Sequence, residues 1–327
     1  MKRRFAKILT VAIIAIMTVG MAVGLSACDK DKADFTVGVC QLVQHDALDA
    51  ATQGFIDSLK AELAKEGKTV KIDVQNAQGD TTLCPTIVSS FVSQNVDLIM
   101  ANATAALQSA ANATMTIPIL GTSITDYGVA LGIDDFNGVV GGNISGTSDL
   151  APLDEQALMF EELLPNCKKI ALFYCSSEPN SLYQVQVVGE KLSQMGKTTQ
   201  TFAFSDSNDI STVLNAAVAW ADAIYIPTDN TAASNVTLID SICLPARVPI
   251  IAGEENICKG CGIATLSISY YNIGVKTGKM AADILLGRAN IAEMAVAYDE
   301  SPVKKFNASI CETLGIEVPS TYTAIAG

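Results

Sequence analysis

Short apolar runs alternate with amphipathic stretches along most of this chain. Residues 35–40 (FTVGVC) form an apolar run with β-branched members and predict a strand. Behind it Leu48, Ala51, Phe55, Leu59 and Leu63 recur at helical spacing, with Asp46 placed to cap. Residues 70–74 predict a strand, and Pro85 opens a helix reaching about residue 94. A strand over 97–101, a small helix over 105–113 and strands over 117–120 and 139–144 follow. The alternation then restarts. Helices are predicted over 152–164, 181–195, 210–220 and 232–242, and strands over 170–174, 198–204, 223–226, 249–252 and 264–267. A strongly amphipathic helix over 271–286 ends at Gly287, and a strand over 303–306 and a helix near 307–314 close the pattern.

Repeated strand–helix alternation requires parallel sheets covered on both faces. The expected class is α/β, with two doubly wound parallel-sheet lobes joined by a multi-crossing hinge. The tail after Leu266 is too short for a third lobe and must return to the first. Lobe one is then 35–147 plus 268–298, and lobe two is 148–267 plus 299–327. The chain would cross near 145–149, 267–270 and 297–302. A hinge between two open sheets makes a closable cleft, and ligands in such sheets sit beyond the carboxyl ends of the strands.

The first residues change the picture. Lys2, Arg3, Arg4 and Lys7 precede an uncharged stretch from Ile8 to Leu25, and small residues lead to Cys28. That is a secretory leader over 1–27. The LSAC end resembles a lipobox, which implies a diacylated Cys28 as the first mature residue and 28–34 as a wet tether. An ordinary transmembrane anchor is the other reading of the apolar run. Both put the remainder outside the cytoplasm, and the lipobox ties it to the cell membrane.

The charge is −13, and less the four leader cations the rest carries −17. Nucleic acid as a partner is thereby excluded, since it calls for a basic surface. Besides Cys28 there are eight cysteines, an even count that invites disulfides in an exported protein. Several sit inside apolar strands, where Cys acts as a small hydrophobe, so mostly free buried thiols are expected. Cys258 and Cys261 form one CxxC, which suits loop thiols or a local disulfide better than half of a metal site. No metal and no cofactor are expected.

In order along the chain stand VGVCQLVQHDALDAATQGF, ANATAALQSA, IPILGTSITD, NISGTSDLAPLDEQALMFEELLPNCKKIALFY, EPNSLYQV, YIPTDNT, IIAGEEN, ATLSISYYNIGVKTGKMAADIL and LGIEVP. This series resembles the ABC-transporter substrate-binding lipoproteins related to the tryptophan and tyrosine uptake proteins, across essentially the whole mature chain. The resemblance implies the type I periplasmic-binding architecture, reversible capture of an amino acid, often aromatic, and delivery to an ABC permease. A monomer is expected. Three positions depart from the family's commonest pattern: Asp46 and Tyr127 stand where Pro is usual, and Ser269 where an acid is frequent. All three are expected near the cleft mouth.

An amino acid needs donors for its carboxylate and a carboxylate with carbonyls for its ammonium. Strand ends of the first lobe offer Gln41, Thr104, Ser123, Thr125 and Asp126; the second offers Asn180, Ser181, Asp229, Asn230 and Glu254. Asp229 is the candidate ammonium partner, or else a helix N-cap. Plain capping competes likewise at Thr104, Ser123 and Thr125. Ser148 and Asp149 line the cleft or brace the crossing, and Tyr270 is placed to stack on a ligand. His45, the only histidine, touches ligand or caps its helix. Catalysis is not expected: there is no GxSxG elbow, no GxGxxG after the first strand, no P-loop and no His/Cys cluster. A sensor of the same fold, or capture of a sugar or nucleoside, remain the alternatives.

Overall fold

The structure, a computed structural model, describes residues 33–299 and 301–325. The leader, Cys28 and the lipidation read there lie outside the described residues. From Phe35 the order is β1 (Phe35–Gln41), α1 (Asp46–Lys65), β2 (Val70–Asn76), α2 (Cys84–Gln94), β3 (Leu98–Asn102), α3 (Thr104–Ala113), β4 (Ile119–Ile124), α4 (Tyr127–Leu131) and β5 (Ile144–Ser148). Next come α5 (Leu153–Leu163), β6 (Lys169–Cys175), α6 (Pro179–Gln194), β7 (Thr198–Phe204), α7 (Ile210–Trp220), β8 (Ala223–Ile226), α8 (Asn230–Ala233), α9 (Val236–Ala246), β9 (Ile250–Ala252), α10 (Glu255–Cys261) and β10 (Ala264–Ser267). The chain ends with α11 (Tyr270–Leu285), β11 (Val303–Phe306), α12 (Ala308–Leu314) and β12 (Thr323–Ala324).

Two sheets result. The first runs β2-β1-β3-β4-β5 and the second β12-β11-β10-β9-β8-β6-β7. Every pairing is parallel except that of β10 with β11. Period-two alternation sorts the strand residues onto opposite faces. In β6, Ile170, Leu172 and Tyr174 pack with α5 and α6, while Ala171, Phe173 and Cys175 pack with α7 and α9. In the first sheet, Val37 and Val39 pack with Phe55 and Leu59 of α1 and Ala281 of α11, and Cys40 packs with Val88 and Phe91 of α2.

After β10 the chain leaves the second sheet, and α11 lies against α1. Glycine permits this contact: a Cβ on Gly54 would come within 2.2 Å of Tyr271 O, and one on Gly274 within 2.1 Å of Ala51 O. A third passage follows α11, where Thr147 bridges Ala297 before β11 joins the second sheet.

Several expectations shift. Residues 139–144 hold only isolated bridges, and the strand begins at Ile144, because Gly141 and Gly142 turn the chain with positive φ. The helix predicted over 232–242 is two helices. Ser234 and Asn235 donate side-chain bonds back to Asn230 O and Thr231 O and break it. His45 takes the cap position of α1 without a side-chain cap bond, and Asp46 falls in the first turn. Tyr127 is in the core and not at a mouth: its ring is 1% exposed and its hydroxyl donates to Thr147 O. α4 and α10, of 5 and 7 residues, are too short to show a period. The eight described cysteines are free thiols, all buried except half-buried Cys167.

Candidate functional site

A chamber of about 10 Å³ lies between the sheets, room for about one water. His45 before α1, Ser123 in β4 and Asp149 after β5 line it from the first sheet's side. Asn180 of α6, Thr228 and Asp229 after β8, Asn230 of α8 and Glu254 after β9 line it from the second; Leu48, Ala233 and Tyr270 complete it. Asn180 and Asn230 are shared with a larger groove of about 520 Å³ that reaches Thr81, Thr104 and Gln108 on one bank and Glu178 and Ser207 on the other. The groove is larger, but the unusual chemistry belongs to the chamber.

Three buried carboxylates face the chamber, and no lysine or arginine is among the described residues lining it. On the second-sheet side the carboxylate oxygens have partners. Asp229 Oδ2 accepts from Cys175 N at 2.7 Å and Oδ1 from Ala232 N at 2.8 Å, capping α8. Glu254 accepts from Asn256 N at 2.7 Å and Ile257 N at 2.6 Å, capping α10. Burial, with the Glu178 charge beside it, pushes Asp229 up to about 8, and burial raises Glu254 to about 7. Glu178 itself accepts from the backbone and side chains of Asn230 and Thr231.

The first-sheet side is different. Asp149 Oδ2 accepts from Tyr270 OH at 2.9 Å, but its Oδ1 is buried with no partner. Burial raises the Asp149 carboxyl, against the hydrogen bonds of Tyr270 and Thr125. Ser123 Oγ and His45 Nδ1 are likewise buried and unpartnered. Six such side-chain atoms occur among the described residues, and three belong to this chamber. Ser123 sits at φ +55° where the β4–β5 register shifts, a bulge that re-aims its side chain. Buried polar groups of native proteins are nearly all paired, so three orphans on one chamber point to a ligand.

Both sides also touch directly. His45 Nε2 lies 3.3 Å from Asn230 Oδ1, and Thr125 Oγ1 lies 3.3 Å from Thr228 Oγ1. Gln184 of α6 donates to Thr228 Oγ1 and reaches Thr125 Oγ1 at 3.4 Å.

Of the residues read from sequence, Ser123, Asn180, Asp229, Asn230, Glu254 and Tyr270 meet at the chamber. Thr104 lines only the groove. Ser181 is buried beside Asp229 and bonds it. Thr125 serves the direct contact, and Ser148 Oγ braces the first crossing by donating to Thr125 O. Gln41 does not reach either cavity: Thr52, Asp49 and Val43 O hold its amide. Asp126 caps α4 by accepting from Val129 N. Tyr270 lines the chamber with its hydroxyl held by Asp149. Thr228 and Gln184 were not singled out from sequence; Thr228, two residues past β8, carried a readable strand-end signal.

Comparison with known proteins fits this arrangement. The family model described as ABC transporter substrate binding protein matches residues 36–327. A tyrosine-binding protein of Clostridioides difficile (strain R20291) is 34% identical over 294 residues, 86% of this chain and 85% of that protein. The crystal structure of an ABC domain from Streptococcus pneumonia in complex with L-Trp superposes with a TM-score of 0.83 at 32% identity, over 90% of this chain and 100% of that one. The ligand-free, open structure of a substrate-binding protein with adhesive properties from Clostridium difficile superposes with a TM-score of only 0.68, at 35% identity over 89% of this chain and 99% of that one.

Proposed function

Because the chain belongs to the ABC transporter substrate-binding protein family, we propose that it captures a small amino acid between its two sheets and hands it to an ABC permease. The observation that carries this reading is the set of unpartnered atoms, Asp149 Oδ1, Ser123 Oγ and His45 Nδ1, around one chamber without a protein cation. Asp149 receives the ammonium, since an unpaired buried carboxylate oxygen without a counterion gains most from a positive donor. Ser123 supplies a hydroxyl from a strained strand end. Asp229 and Glu254 hold α8 and α10 in place. Capture binds a solute and releases it unchanged, so none of these residues is given a catalytic role.

The division of labour is that of a two-lobed clamp. Lobe one holds β1–β5 with α1–α4 and α11; lobe two holds the remainder, with changes near 148, 268 and 299. A chamber of about 10 Å³ is too small for an amino acid, so capture requires the lobes to part and re-close around it. The better match to the L-Trp complex than to the open structure favours a closed arrangement here. The family works outside the cytoplasm; in this chain we assign the tether to a lipid on Cys28, which follows the charged start and apolar run.

Titration calorimetry with L-tyrosine and L-tryptophan tests the reading. A micromolar dissociation constant corresponds to about 8 kcal/mol. A ligand at about 100 times that constant adds about 2.7 kcal/mol of stability in a thermal-shift assay. No binding of either compound, nor of any of the other common amino acids, would remove the amino-acid reading. Release of a Cys28→Ser chain into the medium would support the anchor, and unchanged membrane retention would remove it.

A further inference from the structure

His45 is the only histidine of the chain, and the groups around it dictate where its proton sits. Its Nε2 faces Asn230 Oδ1 across the cleft at 3.3 Å. Which end of the Asn230 amide faces the ring is decided on the far side. Asn230 Nδ2 donates to Glu178 Oε2 at 2.7 Å, an oxygen that also accepts from Asn230 N at 3.0 Å. The end turned to His45 is therefore the carbonyl oxygen, which also only accepts. The imidazole must supply the hydrogen, from Nε2. Desolvation holds the ring below its ordinary pKa, against its bond to Asn230 and the charges of Glu178, Asp49 and Asp46, so the ring is neutral near pH 7. A neutral ring protonated at Nε2 carries a bare lone pair on Nδ1. That Nδ1 is buried with no protein partner, and His45 lines the chamber. It does not cap the helix either, because α1 has no side-chain cap bond.

We propose that His45, as the Nε2–H tautomer, accepts a hydrogen bond at Nδ1 from the ligand's amino group while Nε2 holds Asn230. One ring then reads the ligand with one nitrogen and latches the second lobe with the other. Occupancy of the chamber and closure of the cleft are coupled through it. The inference rests on the amino-acid reading for its ligand half, while its tautomer half concerns the closed cleft.

A single histidine makes the test direct. The protein, purified without a polyhistidine tag and labelled with ¹⁵N on the imidazole, gives one pair of ring signals. In the closed protein, saturated with L-tyrosine, the ring is expected neutral with the proton on Nε2; a proton on Nδ1, alone or together with Nε2, at pH 7 overturns the proposal. With L-tyrosine at saturation the Nδ1 resonance is expected to shift as it gains a hydrogen bond. An unmoved Nδ1 in a sample that calorimetry shows to be saturated overturns it too. His45→Gln keeps an amide at the Nε2 position and loses the acceptor at Nδ1, so affinity for L-tyrosine is expected to fall about tenfold. His45→Asn, with an oxygen near the Nδ1 position, should recover part of that loss. Affinity of His45→Gln within twofold of the parent counts against the proposal. Should either variant fail to fold, the wild-type signals decide alone. If calorimetry shows that the wild type binds neither L-tyrosine nor L-tryptophan, the functional reading falls before any spectrum is compared, whereas a saturated sample with the wrong tautomer overturns this proposal alone.

Discussion

The two walls of the chamber are built from similar residues and have opposite hydrogen-bond economies. On the second-sheet wall, Asp229 and Glu254 have every oxygen accepting from backbone N–H groups, and their strand ends are capped and fixed. On the first-sheet wall, Ser123, His45 and Asp149 each keep a buried atom unpaired, and Ser123 sits in a left-handed conformation. A carboxylate in a cleft is therefore not of itself a ligand contact. The second wall uses its carboxyl oxygens to build helix ends, and the first leaves capacity for something that arrives.

Four measurements would break or sharpen that contrast. The largest effect is expected at Asp149. Asp149→Asn removes the charge facing the ammonium and should weaken L-tyrosine about 100-fold or more, in the range of about 3 kcal/mol for a broken buried pair, with the fold retained. Calorimetry with circular dichroism checks it; affinity within a few-fold of wild type would put the ammonium elsewhere. Asp229→Ala should act chiefly on stability. It removes a cap and the acceptor of a buried Cys175 N–H, together about 2–3 kcal/mol in a urea titration. A variant that keeps its urea midpoint but loses ligand would reverse the roles of the two walls.

The third concerns pH. Asp229, at about 8, and Glu254, at about 7, both lie above the unfolded carboxylate range. The folded chain thus holds protons that the unfolded chain has released, from about pH 4 up to pH 8. Stability is fullest below the unfolded values and falls as pH rises through the folded ones, by at most about 1.4 kcal/mol per pH unit per group. Urea midpoints at pH 5.5, 7 and 8.5 should decline in that order, less steeply in Asp229→Asn. A rise across that window would contradict the buried, proton-holding wall. The smallest effect is at Ser123. Ser123→Ala should cost about 1 kcal/mol of affinity and under about 0.5 kcal/mol of stability, because its hydroxyl bonds nothing in the protein.

Much of the fold was legible because strand and helix signals alternate with few exceptions. Strands β7, β8, β10 and β11 begin and end where they are predicted to. What escaped was set by single residues, not by periods. Gly141 and Gly142 delay β5, and Ser234 with Asn235 divide a helix by bonding back to their own backbone. At the site, strand-end position was enough to find Ser123, Asp229 and Glu254. Position could not tell a cap from a contact, since that depends on which N–H groups the fold brings within 3 Å of each oxygen. Gln41 shows the limit: it stands at the end of β1, as a cleft residue should, yet Thr52 and Asp49 reach it first. The orphan lone pair of Asp149 depends on Tyr270, more than a hundred positions away, and no local pattern announces it.

The glycine contact between α1 and α11 reaches further than packing. α1 starts beside His45 and α11 starts at Tyr270, so two chamber-lining side chains hang from the ends of helices seated backbone to backbone at Gly54 and Gly274. The pair acts as a yoke. One methyl group grafted at position 54, about 14 Å along the helix from His45, would pry the yoke apart and tilt both side chains together. Inherited variation at such a remote, featureless spot would register as altered solute preference while every residue touching the solute stayed the same.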